Sequence, residues 1–289
     1  MGEIIGRVAE IWRYPVKSLQ GERIEHVELS ERGVPGDRCW AVRDEERGGI
    51  RGAKRFAGLM QLAARFPAEP DERGSSPAVI RFPDGSEIRT GDPTVSERLS
   101  EFLESPVTLW PLVPAEVLDH YRRGAPVHED FDTELRAIFA RTPDEPLPDL
   151  SRFPPEVLEF ESPPGTYFDA SPLLLLTRRS LESMARSAPG SRFDVRRFRP
   201  NFVLEVEEGD GSAHPELDWV GRQISLGRAV VEVEMRCPRC VMTTHPQGDL
   251  PRDPKVMRAL VQEVDGDLGV YARVVQPGAV AEGAALRLL

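Results

Sequence analysis

The run Ala229-Val-Val-Glu-Val-Glu-Met235 passes directly into Arg236-Cys-Pro-Arg-Cys-Val-Met-Thr-Thr244, and the chain is organised around this junction of a strand-like segment with a cysteine loop. Two of only three cysteines, Cys237 and Cys240, stand here between arginines. Cysteine acts as a nucleophile or metal ligand in its thiolate form, and neighbouring guanidinium charge lowers a thiol's pKa. A structural zinc site needs four ligands, usually in Cys/His pairs. The remaining candidates are Cys39 and five histidines, which never pair at ligand spacing. A thioredoxin-like C-x-x-C opens a helix early in a βαβ unit, whereas this one follows a long strand late in the chain. Residue type alone leaves a pair of buried cysteines packing as small apolar groups on an equal footing with a chemical site.

Working outward, Gln223–Leu226 and Ala229–Met235 are expected to pair across Gly227-Arg228. Strands are also expected at Ile4–Tyr14, Ile24–Leu29, Cys39–Arg43, Val107–Trp110, Leu173–Leu176, Asn201–Val206, Gly269–Val275 and Ala285–Leu289. Asp84-Gly85 marks the turn of a hairpin over Val79–Ile88. Asp92-Pro93 and Asp253-Pro254 each read as an N-cap followed by proline, opening helices that run to Leu103 and Val264. A further helix is expected over Arg178–Ser187. Leu59–Phe66 fits strand or short helix equally, and the glycine-rich stretch 48–52 reads as a loop without a phosphate-cradling motif. The proline- and acid-rich region 111–165 has the composition of a connecting excursion, with one helix at Phe131–Phe139. An acidic loop containing His214 spans Glu207–Glu216. His26, His120 and His128 lack the neighbours of a ligand set. Many strands with a few helices predict a mainly β fold (β with some α), barrel-like.

At 289 residues, with 40% hydrophobic and 29% charged residues, the chain can bury more than one core. A net charge of −11 disfavours nucleic acid as a partner. No apolar run is long enough for a membrane helix and no signal-peptide core opens the chain, so a cytoplasmic protein with no membrane partner is expected. Three cysteines, an odd number, fit a reducing compartment. Of the 37 basic residues only Lys17, Lys54 and Lys255 are lysine, and arginine is the side chain better shaped for bidentate phosphate contacts.

The segment R-C-x-R-C-V-M-T-T resembles the signature of the MOSC domain, the family named after the C-terminal domain of molybdenum cofactor sulfurases. Tyr14-Pro15-Val16-Lys17-Ser18 and Gly36-Asp37-Arg38-Cys39-Trp40 resemble the N-terminal β-barrel domain that accompanies MOSC in amidoxime-reducing enzymes. Asp169-Ala170-Ser171-Pro172, Arg197-Phe198-Arg199-Pro200-Asn201 and Leu268-Gly269-Val270-Tyr271 complete six motifs in the family order. The resemblance implies two closely packed β-barrel-like domains with flanking helices, at 1–112 and 166–289, joined by 113–165. It implies a molybdenum cofactor (Mo-molybdopterin) with Cys240 as metal ligand and catalytic residue. Cofactor contacts carry over to Lys17, Ser18, Arg38, Ser171, Arg199, Asn201, Arg239 and Tyr271, with Cys237 in a supporting role. Where relatives carry Val-Asp-Pro after the threonine pair, this chain has His245-Pro246, which makes His245 a second catalytic candidate that titrates near neutrality.

The implied activity is reduction of a small N-hydroxylated or N-oxide molecule. With no nicotinamide, haem or iron–sulfur motif in the chain, electrons are expected from a separate ferredoxin, flavodoxin, or cytochrome with its reductase. Two alternatives stay open at this level: persulfide transfer by Cys240 during cofactor maturation, and non-catalytic carriage of the cofactor.

Overall fold

The first strand of the chain closes a barrel whose other strands all come from its C-terminal half. This is seen in a computed structural model that describes residues 2–72, 74–153, 156–207 and 211–289. In chain order the N-terminal strands are β1 (Glu3–Arg13), β2 (Glu22–Ile24), β3 (His26–Leu29), β4 (Trp40–Asp44), β5 (Ile50–Arg51), β6 (Ala63–Arg65), β7 (Val79–Arg81), β8 (Glu87–Arg89) and β9 (Val107–Pro111). The C-terminal ones are β10 (Leu173–Thr177), β11 (Phe202–Val206), β12 (Gln223–Leu226), β13 (Ala229–Pro238), β14 (Asp267–Gln276), β15 (Gly278–Ala281) and β16 (Ala285–Leu288). The barrel runs β11-β10-β14-β13-β12-β16-β1 and returns to β11, seven strands with no open edge between them. Its pairs are antiparallel except β10 with β11.

Alternation along these strands explains the closure. Val8 and Ile11 of β1, Val231 and Val233 of β13, and Val270 and Ala272 of β14 all point into one core. Gly6 lies where a Cβ would come within 2.1 Å of the Glu205 carbonyl oxygen, so β1 and β11 approach as they do because that residue has no side chain. The four-leucine run of β10 is buried along its whole length because both faces are used. Leu173 and Leu175 fill the barrel. Leu176 packs with Met184 of helix Arg178–Ser187 and with Val256, Met257 and Leu260 of helix Lys255–Val264.

The rest of the N-terminal half makes a second core. Sheets β5-β4-β9 and β6-β7-β8 enclose Val16, Leu19, Trp40, Val42, Leu59, Leu62, Ile80 and Leu99. Met242 of the cysteine loop is buried in this same cluster, so the loop spans both cores.

Several expectations need correction. The single strand expected at Ile24–Leu29 is two: β2 pairs with β1, and β3 pairs with β15, a strand the sequence did not suggest. Residues 1–112 therefore contribute β1, β2 and β3 to pairings with the barrel or its C-terminal strands. Leu59–Phe66 resolves as a 3-10 turn over Ala57–Gln61 followed by β6. Neither aspartate is the N-cap it was expected to be: Asp92 Oδ1 accepts from Thr94 N at 2.9 Å and Asp253 Oδ1 from Lys255 N at 3.0 Å, in turns that precede the N-caps Thr94 and Pro254, so the helices begin at Val95 and Lys255. In the acidic loop, residues 208–210 lie outside the described residues.

The region 113–165 is pinned down rather than strung between domains. Ala125 N donates to Arg47 O at 2.8 Å, and Gly124 packs where a Cβ would lie 1.7 Å from Gly48 O. At its far end Arg152 grips Asp267 with two bonds of 2.8 and 3.2 Å. Among the described residues, no helix is long and apolar enough to cross a membrane.

Because Ile11 is fully buried in the barrel core, Ile11→Ala is expected to lower the unfolding free energy by about 2–5 kcal/mol in urea denaturation. A loss below about 0.5 kcal/mol, the range of ordinary surface substitutions, would mean that β1 does not close the barrel.

Candidate active site

At the end of β13 the chain turns into Arg239 and Cys240 and then a 3-10 turn, Val241–Thr244. The threonine pair is there to close that turn. Thr243 Oγ1 donates to Cys240 O at 3.0 Å, and Thr244 Oγ1 to Val241 O at 2.7 Å. Arg197, 1% exposed, clamps the loop from behind: its Nη1 donates to Thr243 O and His245 O at 3.1 and 3.2 Å, and its Nη2 to Pro251 O at 2.8 Å. Arg239 is equally fixed, with Nε on Leu268 O at 2.7 Å and Nη1 on Phe198 O at 2.9 Å. Gly269, at φ +74°, makes room for it: a Cβ there would sit 3.1 Å from Arg239 Nη2 and 2.7 Å from Leu175 O. Cys240 is half-buried and Cys237 buried, and burial pushes both thiols above their ordinary pKa.

Cys240 lies in the wall of a cleft of about 810 Å³. The chain as a whole is acidic, yet this lining carries eight cationic side chains against three carboxylates. Arg38 and Arg199 both sit against the Tyr14 ring, their guanidinium carbons 4.9 and 4.2 Å from its centroid. Both have left-handed backbones, φ 49° and 55°, a costly conformation for a side-chain-bearing residue. Arg38 pairs with Asp37 and Arg199 donates to Leu19 O. Burial and the neighbouring Arg38 lower the pKa of Arg199 to about 10. Arg199 Nη2, Arg239 Nη2 and Arg51 Nε are buried donors with no acceptor among the described residues. Each would normally cost free energy, and an anion at this site would relieve it.

A second group of charges centres on Asp169. Its carboxylate takes Lys17 Nζ at 2.9 Å and lies 3.7 Å from Lys54 Nζ. Burial works against the Asp169 charge, but the two lysines outweigh it and hold the carboxyl far below the usual range. Asp169 in turn keeps Lys54 protonated, and the Lys54 charge pulls the Cys240 pKa back down against burial.

Of the residues expected at the site, Arg38, Ser171, Arg199, Asn201, Arg239, Cys240 and Tyr271 share this lining. Ser171 donates to Glu234 Oε2 at 2.6 Å. Asn201 accepts from Leu174 N at 3.1 Å and reaches Trp12 O at 3.4 Å, tying β10 to β1 with its side chain. Tyr271 is pushed well above its ordinary pKa by burial.

Lys17, Ser18 and His245 do not line the cleft. Lys17 Nζ is spent on Tyr167 O at 2.8 Å, Asp169 and Ser162. Ser18 Oγ accepts from Ala53 N at 2.9 Å, and His245 Nε2 lies 3.1 Å from Ala53 O. Both therefore brace the turn that carries Lys54, and burial lowers the His245 pKa, favouring the neutral ring. His245, expected as a catalytic candidate, is thus placed behind the cleft wall, against Ala53 O.

Lys54, Arg51 and Arg123 line the cleft without having been singled out, and so does Asp169, which the sequence marked only as part of a motif. The available signal was that Lys54 is one of three lysines and follows a glycine-rich turn. Among the described residues no three His, Cys, Asp or Glu side chains group as a metal site.

Residues 163–287 match the family described as the MOSC domain, and residues 5–91 the MOSC N-terminal beta barrel domain. Among curated proteins, the chain is 25% identical over 261 residues to mitochondrial amidoxime-reducing component 1 of Mus musculus and of Homo sapiens, covering 83% of this chain. It spans 66%, just under two thirds, of the length of those relatives. Among solved structures it is similar to the YuaD protein from Bacillus subtilis, with TM-score 0.45 and 13% identity over 100% of this chain and 98% of that one. YiiM from Geobacillus stearothermophilus gives TM-score 0.31 and 23% identity over 41% of this chain and 54% of that one.

Since Lys54 lowers the Cys240 pKa, Lys54→Met is expected to move it further up. Alkylation of the Cys240 peptide, followed by mass spectrometry across pH, should show its rate midpoint at higher pH in the variant; an unmoved midpoint would remove Lys54 from the site.

Proposed function

We propose that this chain, which pairs a MOSC N-terminal barrel with a MOSC domain, is a molybdenum-cofactor-dependent reductase of N-hydroxylated or N-oxide compounds, supplied with electrons by a separate protein. The observation that carries the reading is the meeting of Cys240 with acceptor-less buried guanidinium nitrogens of Arg199 and Arg239 in one cleft. A thiolate is a soft ligand suited to a sulfur-bound metal, and arginine is suited to phosphate. The residues present therefore fit a metal-bearing anionic cofactor, and the names of the curated relatives point to the same class of chemistry.

When bound, the cofactor supplies two-electron oxygen-atom acceptance. Cys240 would ligate its metal, while Arg38, Arg199 and Arg239 would hold its anionic end, with Ser171 and Tyr271 in the same wall, the Ser171 hydroxyl turned to Glu234. Asn201 frames this bed by joining β10 to β1. Lys17 acts at one remove, by fixing Asp169. Cleaving the N–O bond consumes two electrons and two protons and leaves an amine or amidine and water. Lys54 Nζ, kept protonated by Asp169, is the proton-bearing side chain of the cleft that is electrostatically tied to Cys240.

Elemental analysis and pterin fluorescence on protein from a cofactor-producing host provide the test. Near-stoichiometric molybdenum is expected in wild type and in Cys237→Ala, with loss in Cys240→Ala. Wild type carrying neither metal nor pterin would sink the reductase reading, and a mass gain of one sulfur on the Cys240 peptide would then favour persulfide transfer.

A further inference from the structure

Tyr14 is no part of the cleft lining, yet it touches both Arg38 and Arg199, which are. It directly follows β1, and its backbone meets the motif of Arg38: Tyr14 N donates to Asp37 Oδ1 at 2.7 Å, and Arg38 N donates to Tyr14 O at 2.6 Å. Its hydroxyl meets the motif of Arg199 by donating to Pro200 O at 3.0 Å. Its ring carries both guanidinium groups, and Arg38 Nη2 reaches across to Arg199 O at 3.3 Å. Gly21 packs on the ring edge, where a Cβ would lie 2.5 Å from Tyr14 Cδ1, and Tyr14 is 3% exposed, so the ring is held in place.

Two guanidinium groups against one ring repel each other, and burial followed by the Arg38 charge lowers the Arg199 pKa. A carboxylate set between them would relieve the repulsion but would also cancel the charge that an anionic ligand needs. Asp37 pairs with Arg38. Arg199 instead gives Nη1 to Leu19 O and keeps Nη2 without an acceptor among the described residues. An aromatic face attracts a cation through its quadrupole while carrying no net charge. Burial pushes the Tyr14 hydroxyl above its ordinary pKa, so it stays neutral. Tyr14 therefore gathers two cations without neutralising them. The left-handed backbones of Arg38 and Arg199 fit this role, since such strain persists where the surroundings over-determine it.

We infer that Tyr14 is a positioning residue of the anion site: its ring holds Arg38 and Arg199 side by side and leaves their charge available to a phosphate-class ligand. This rests on the reading of those arginines as holders of the cofactor's anionic end. It carries a consequence for folding. Because Tyr14 directly follows the strand that pairs with both β11 and β16, the anion site assembles only when β1 closes the barrel, and an anion bound there stabilises the closed form.

The test titrates the full chain, purified free of cofactor, with inorganic phosphate. Two readouts are taken: the rise in Tm, and protection of the Arg199 peptide from phenylglyoxal by mass spectrometry. Wild type should gain Tm with phosphate and show the protection, and Arg199→Gln should lose the gain. Tyr14→Phe keeps the ring and gives up the Pro200 bond, so its phosphate affinity should stay within about threefold of wild type, whereas Tyr14→Leu and Tyr14→Met should bind about tenfold or more weakly and lose the protection. Each gain is read against that protein's own Tm without phosphate, and circular dichroism checks folding. A purely structural Tyr14 would lower the starting Tm of Tyr14→Leu and leave its phosphate affinity unchanged. That result overturns the proposal, as does no response in wild type, or a Tyr14→Phe protein that has lost binding as completely as Arg199→Gln; the last decides the matter even where the two aliphatic variants fail to fold. Ring-dependent phosphate binding in a protein that takes up neither molybdenum nor pterin supports the proposal and overturns the reductase reading alone.

Discussion

The double pairing of β1, to β11 on one side and β16 on the other, is the constraint on which the site depends. It closes the barrel, and it also delivers the residues immediately after it to the C-terminal half. Trp12 N donates to Asn201 O at 2.8 Å, Tyr14 Oη to Pro200 O at 3.0 Å, and Arg199 bonds Leu19 O while lying over Tyr14. Motifs nearly two hundred residues apart in sequence thus become one surface. The cleft is the space left where the barrel, the second core and the region 113–165 meet.

Its electrostatics run against the protein as a whole. Arg197, Arg199 and Arg239 are buried, and burial of an ion is expensive unless hydrogen bonds and charges compensate it. Arg197 is compensated by four backbone carbonyls and serves as a loop clamp. Arg199 and Arg239 are compensated only in part, each with a nitrogen left over. This difference separates an arginine whose nitrogens are all used by the fold from arginines with a donor to spare. Lys54 belongs with the second group through Asp169 and Cys240, which explains why Ser18 and His245 are devoted to the turn that carries it.

Much of this was legible in the sequence. The β13 strand, its hairpin partner β12, the four-leucine strand with its helix, and the helix at Phe131–Phe139 follow directly from periodicity and turn chemistry. Cys240 and the motif arginines were legible through local arginine-rich context and family resemblance. Long-range pairing was not. Nothing in Ile24–Leu29 reveals that its halves join different sheets, because alternation specifies a face and not a partner. Nor does a proline- and acid-rich stretch announce that its one amphipathic helix lines the cleft, since a stripe of Phe131, Leu135 and Ile138 looks the same whether it covers a core or a cavity. Ser18 and His245 lie one layer behind the cleft wall, on the backbone of Ala53, which was not legible because bracing a turn and touching a ligand leave the same trace in sequence.

The central claim is that Cys240, and not Cys237, presents its sulfur to the metal of a cofactor held in this cleft. Molybdenum-edge X-ray absorption on the loaded protein tests it most directly, because it counts sulfur neighbours of the metal. Cys240→Ser should lose one sulfur scatterer relative to wild type, and Cys237→Ser should lose none. An unchanged sulfur count in a molybdenum-containing Cys240→Ser protein would contradict the account.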